Sequence, residues 1–109
     1  MSSHPQQCEA AILAGAWDTL FAEASVWIAE HTGAGPADPC AYFSQNIVYL
    51  LRGRFSDAWK THVFCLQTED DIAAVKAWIN DLLARQSDSS LAHLVTGLLL
   101  AQSGQSEQS

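Results

Sequence analysis

The sequence predicts an all-α protein assembled from helix pairs, and three observations carry that prediction. Apolar residues recur at helical spacing in six stretches, while sustained alternation and hairpin dipeptides are absent. The run Leu50-Leu51-Arg52-Gly53-Arg54-Phe55 breaks one helical pattern at Gly53 and starts another at once. Glycine is the usual residue where a helix ends left-handed, so a tight turn joins two antiparallel helices there. Finally, Ala24, Ala58 and Ala92 form a series with a constant spacing of 34 residues. Phe21-Ala22-Glu23-Ala24 and Phe55-Ser56-Asp57-Ala58 align in it, with Ser89-Ser90-Leu91-Ala92 as a degenerate third member, and Asn46 and Asn80 share the spacing.

The elements follow in order. Residues 1–6 carry no helix signal and are expected to be a flexible terminus. A first helix is predicted from about Gln7 to Ala16. Asp18 or Thr19 caps a second, with Phe21, Ala24, Trp27, Ile28 and His31 on one face. The breaker cluster Thr32-Gly33-Ala34-Gly35-Pro36 ends it. Asp38 as cap and Pro39 at the first helical position open the third helix, which runs to about Arg52. Its Tyr42, Phe43, Ile47, Val48, Tyr49, Leu50 and Leu51 cover more than one stripe, so it needs cover on both sides.

Ser56 or Asp57 is expected to cap the fourth helix, which carries Ala58, Trp59, Val63, Phe64 and Cys65 to about Leu66. Thr68-Glu69-Asp70-Asp71 starts the fifth: a cap residue, then carboxylates at the positive end of the helix dipole. Ile72, Val75, Ile79, Leu82 and Leu83 share one face of it. Ser87-Asp88-Ser89-Ser90 is a turn and cap, and Leu91, Leu94, Val95, Leu98 and Leu99 belong to a sixth helix. Residues 103–109 are polar and of low complexity, and are expected to be a disordered tail. One helical domain over residues 7–102 remains.

A period of 34 with an aromatic-x-x-Ala signature is the mark of the tetratricopeptide repeat. It implies three tetratricopeptide-like antiparallel helix pairs in a short right-handed solenoid. Pro36 falls where such a repeat places its closing proline.

Composition narrows the function. A formal charge of −7 argues against nucleic-acid binding, which needs Lys and Arg to displace counterions. Charged residues make up 16% of the chain and four residues are Trp, so apolar surface is expected to remain for a partner. No run is long enough to span a bilayer and no leader is visible. Three cysteines without paired spacing suit a reducing compartment, and the expected location is cytoplasmic.

Chemistry is hard to place on this chain. His62 and Cys65 lie one helical turn apart, but a zinc site needs two more donors and no second pair has suitable spacing. None of Cys8, Cys40 and Cys65 lies in a nucleophile motif, so a small Cys–His hydrolase is a distant third reading. No glycine-rich phosphate loop follows a strand. The chain is therefore read as a binding protein, not an enzyme, with no cofactor and no metal. Trp27, Trp59 and Trp78 are assigned to packing, and Trp17 to a half-exposed helix end.

Several segments carry a family resemblance: Glu23-Ala24…Trp27-Ile28-Ala29-Glu30, Leu51-Arg52-Gly53-Arg54-Phe55-Ser56-Asp57-Ala58, and Leu82-Leu83-Ala84-Arg85…Leu94-Val95-Thr96-Gly97. In these and in helix order the chain resembles the small tetratricopeptide-like chaperones of the type III secretion needle subunit, of the YscG/PscG type. The resemblance implies a cytoplasmic chaperone of a virulence-associated export system. It would hold an amphipathic helix of the needle subunit in a concave groove, with a small helical co-chaperone, and so prevent premature polymerisation. A tetratricopeptide-like adaptor for another peptide, or for a second copy, is the alternative. The first helix of each pair lines the concave face of such a stack. That nominates Leu13 and Trp17, then Phe43, Ile47 and Leu50, then Ala77, Asp81 and Ala84 as the partner-binding groove; Phe43, Ile47 and Leu50 are then partly exposed in the free protein, the alternative being that they pack between repeats.

Overall fold

The computed structural model describes residues 3–31, 33 and 37–108, with side chains as far as Ser103. Six α-helices account for most of these residues: α1 (His4–Ala14), α2 (Trp17–Ala29), α3 (Pro39–Leu51), α4 (Phe55–Cys65), α5 (Glu69–Arg85) and α6 (Ser90–Gln108). There is no strand among the described residues. The expected all-α class is observed. Pro36 and most of the breaker cluster lie outside the described residues.

Local chemistry explains most helix ends. Ser3 caps α1 in a capping box: the Gln6 amide donates to its hydroxyl, and the Ser3 amide donates to the Gln6 side chain. Helix α1 therefore begins at His4, and residues 4–6 are not a loose terminus. Gly15 (φ 68°) and Gly53 (φ 73°) both occupy the left-handed region. Each ends its helix with the same pair of crossed bonds. After α1, Ala16 donates to the Ala11 carbonyl (2.9 Å) and Gly15 to Ile12 (3.0 Å). After α3, Arg54 donates to Tyr49 (2.8 Å) and Gly53 to Leu50 (3.2 Å). At Gly15 the close approach adds a second constraint, because a Cβ there would meet the Leu91 side chain of α6 at 3.2 Å.

Asp38 caps α3 through the Cys40 amide (2.9 Å), and Thr68 caps α5 through the Asp71 amide (3.1 Å), as their sequences predict. Helix α4 differs from expectation. It starts at Phe55 without a side-chain cap, and Asp57 instead pairs with Arg54 across the first turn (2.7 Å). Helix α6 runs on to Gln108, and the buried Ser103 hydroxyl donates to the Leu99 carbonyl (2.9 Å).

Helix α3 is the centre of the molecule, in contact with α1, α2, α4 and α5. This satisfies its nearly all-round apolar character: Cys40, Ala41, Phe43, Ser44, Asn46, Ile47 and Val48 are all buried. Helix α5 packs on α6, and α6 reaches back to α1, giving a globule of 36 × 34 × 25 Å. An open three-unit stack would hold its first and last helices apart. The 34-residue series does not mark equivalent positions either. Ala24, Ala58 and Ala92 are all buried, but Ala58 and Ala92 lie in the first turn of their helices and Ala24 in the second turn of its own. Asn46 is buried and Asn80 exposed. What the three alanines share is burial at helix contacts.

Candidate functional site

The eight residues nominated for a groove differ widely in exposure. Phe43 and Ile47 are fully buried among Ile12, Leu20, Val75, Ile79, Leu82, Val95 and Leu99. The surplus apolar face of α3 is covered by the chain's own helices, so these two side chains meet no solvent in the free protein, where partial exposure was expected. Leu13 and Trp17 are half-buried against the same core, and Leu50 is half-buried. Ala77, Asp81 and Ala84 are exposed on the outer side of α5. Asp81 accepts from Arg85 (2.9 Å), which also binds Glu9 of α1 (2.5 Å). Glu9 in turn accepts from the Trp78 indole (2.8 Å), so this side of α5 is tied to α1 by a polar network.

The titratable groups that chemistry would need are also committed elsewhere. The three thiols are free and buried. Burial pushes the Cys8 pKa up to about 11 and that of Cys65 to about 12, and raises that of Cys40 as well. At neutral pH all three are protonated thiols, poor nucleophiles and poor ligands. Cys65 points inward. His62 instead stacks on Trp59 (5.2 Å between centroids) and hydrogen-bonds Gln102 (3.2 Å), so the two do not converge on one ligand. Among the described residues no group of three His, Cys, Asp or Glu side chains could hold a metal.

His4 is the other titratable cluster. It bridges Glu23 of α2 and Glu30 at that helix's C-terminal cap and stacks on Trp27, and hydrogen bonds to the two carboxylates raise its pKa above the ordinary 6.5. This fastens α1 to α2 beside an open cleft of about 640 Å³ between Trp27, Glu30, Ala37 and Asp71.

The feature that stands apart is α4. Its inner side carries small residues, Ala58, Thr61 and Cys65, which are buried. Its outer side carries the large ones: Phe55 is 66% exposed, Trp59 65%, Phe64 47% and Val63 41%. A surface helix ordinarily does the reverse, turning large apolar residues to the core and polar ones to water. Phe55, Trp59 and Val63 follow one another at four-residue intervals and form a stripe along the helix. Leu51, 39% exposed, continues the stripe across the turn in sequence. Phe64 lies to one side, stacked on Tyr42 of α3 (4.9 Å).

What holds α4 in this orientation is polar. The buried Asn46 amide donates to the Ala58 carbonyl (3.0 Å) and to Thr61 Oγ1 (3.4 Å), and its oxygen accepts from Gln102 of α6 (2.8 Å). Thr61 also donates to the Ala58 carbonyl (2.8 Å). Small residues let α4 lie close on α3, and the asparagine fixes its rotation. With the inner side thus set, the aromatic side chains have nowhere to go but outward. Covering one Phe or similar side chain fully is worth about 1.5–3 kcal/mol, so this face is a source of binding energy left unused within the chain.

Sequence reasoning assigned Trp59 to packing, and the structure corrects that. The signal was present: α4 has one stripe of small residues and one of large, and only the small stripe suits a close contact with α3.

Scans of the chain against protein-family models, curated proteins and solved structures find no match. Among the described residues no helix is long and apolar enough to cross a membrane.

Proposed function

We propose that this chain is a helix-binding chaperone, without catalytic chemistry, that keeps an aggregation-prone client soluble. The observation that carries the reading is the outward stripe Phe55–Trp59–Val63 on α4, large and apolar where a solvated helix would be polar. An amphipathic helix laid along such a stripe uses the helix-in-groove mode, with anchors at intervals of three and four residues. The client we propose is a type III secretion needle subunit, held with a small helical co-chaperone in the cytoplasm. That choice rests on the resemblance in the segments around Glu23, Arg52 and Leu82. We also read the three helix hairpins as a tetratricopeptide-like arrangement closed on itself, with the client on α4 in place of a concave groove.

The test is co-expression with a needle subunit from the same source. The expected result is a soluble complex of fixed stoichiometry in which the needle subunit stays unpolymerised. A needle subunit that polymerises or is not retained in the presence of this folded chain contradicts the reading.

A further inference from the structure

The chain is acidic, yet the hairpin that carries the exposed stripe is not. Arg52, Arg54 and Lys60 are three of the five Lys and Arg residues in the sequence. Residues 51–65 hold those three cations and one carboxylate, Asp57, a balance of +2; the rest of the chain holds two cations and eleven carboxylates, a balance of −9. The outward arc of α4 from Phe55 to Phe64 comprises Phe55, Ser56, Trp59, Lys60, Val63 and Phe64, with no carboxylate on it. Lys60 lies between the stripe and Phe64 and makes no ion pair with a described residue. Of the other two cations, Arg52 pairs with Asp18 at the surface, while Arg54 pairs with the partly buried Asp57 and lies over the Tyr49 ring (5.6 Å). An exposed pair such as Arg52–Asp18 is worth little and exchanges readily for another carboxylate.

We propose that the outer face of α4 takes an acidic amphipathic helix of a partner protein. The inference rests on the reading of the chain as a helix-binding module and names the chemistry of what it binds. Apolar anchors on the partner, at intervals of three and four residues over two to three turns, cover Phe55, Trp59 and Val63. Glu or Asp side chains beside those anchors meet Lys60, Arg54 and Arg52 at the rim. Desolvated aromatic anchors ringed by a complementary charged border are the usual make-up of such an interface. A second copy of this chain fits the face worse. A two-fold contact of α4 on α4 sets Lys60 near its own mate, and it joins two chains of −7 each.

Two synthetic helical peptides test this. One has Leu anchors at three- and four-residue spacing flanked by Glu, and the other is identical with every Glu replaced by Lys. Binding is measured by titration calorimetry at low and at high salt, with far-UV circular dichroism to verify the fold of each variant. The acidic peptide is expected to bind at least about tenfold tighter than the basic one at low salt, with the gap narrowing at high salt. Trp59→Ala should weaken it about tenfold or more. Lys60→Glu should shrink the preference between the two peptides, and Val26→Ala, exposed on α2, should change neither. Equal binding of both peptides, binding of neither, or a Trp59→Ala variant that binds as well as wild type overturns the proposal. So does sedimentation showing a dimer that Trp59→Ala dissolves, because the occupant is then a second copy. Failure here is separable from failure of the client assignment. A needle subunit held equally well by Trp59→Ala leaves the chaperone reading standing and moves the docking face. Acidic-peptide binding on α4 without retention of the needle subunit does the opposite.

Discussion

Helices α4 and α5 follow one another in the chain and solve the same problem in opposite ways. Helix α5 turns Val75, Ile79 and Leu82 into the core and leaves Ala73, Ala74, Ala77, Asn80, Asp81 and Ala84 to water. Helix α4 buries Ala58, Thr61 and Cys65 and exposes Phe55, Trp59, Val63 and Phe64. In α5 apolar burial both stabilises the helix and sets its rotation. In α4 the two jobs are separated. Close approach of small residues and the Asn46 hydrogen bonds set the rotation, and the large side chains are free for something outside the chain. An amphipathic pattern therefore locates a core only when the large residues win the contact. Where small residues and a buried amide define the contact, the same pattern locates a surface.

The comparison is most sharply broken by one substitution made at two valines. Val75 of α5 is buried completely, and Val63 of α4 is 41% exposed. Val75→Asp places an unpaired carboxylate in the core and should cost about 4 kcal/mol or more, enough to unfold a domain of ordinary stability. Val63→Asp leaves its charge in water and should shift stability by less than about 0.5–1 kcal/mol. Chemical denaturation of both variants measures this directly. Similar losses at the two positions would mean that Val63 is core and that α4 is not inverted.

Much of the fold was legible before the structure, and each failure has a physical cause. Asp38-Pro39, Thr68 with its three following carboxylates, and Gly53 are local signals whose partners lie within one turn, so the sequence alone places them. Phe43 and Ile47 were misjudged because a helix apolar on every side only states that it must be covered. Whether its own neighbours or a ligand cover it depends on long-range packing, here of α1, α2, α4 and α5 around α3. The cap at Ser3 and the burial of Ser103 are not legible in the sequence for a related reason. A weakly helical polar run gains its order from docking, as the buried Ser103 does. The α4 face is an intermediate case. Its two stripes are visible, but the choice between them rests on Asn46, whose partners Ala58 and Gln102 are distant in sequence.

A smaller effect sharpens the role of that asparagine. Asn46→Ala removes the bonds to Ala58, Thr61 and Gln102 while sparing the apolar contacts, and should cost roughly 1–3 kcal/mol. The loss should appear locally. Cys65 lies on the buried side of α4, its pKa pushed up to about 12 by burial, and is shielded from alkylation in the native state. In the variant, maleimide labelling of Cys65 should accelerate well beyond that of Cys8, on the buried side of α1. Equal acceleration at both thiols would show that Asn46 stabilises the whole domain and not the seating of α4.

The orientation of α4 itself is tested most directly by hydroxyl-radical footprinting of the free, folded chain read out by mass spectrometry. Phenylalanine serves as its own control, since Phe55 is 66% exposed and Phe43 is fully buried. An inverted α4 predicts rapid oxidation of Phe55, Trp59 and Phe64 together, with Phe43 protected. Protection of Phe55 and Trp59, or oxidation of Phe43 at the rate of Phe55, would contradict it.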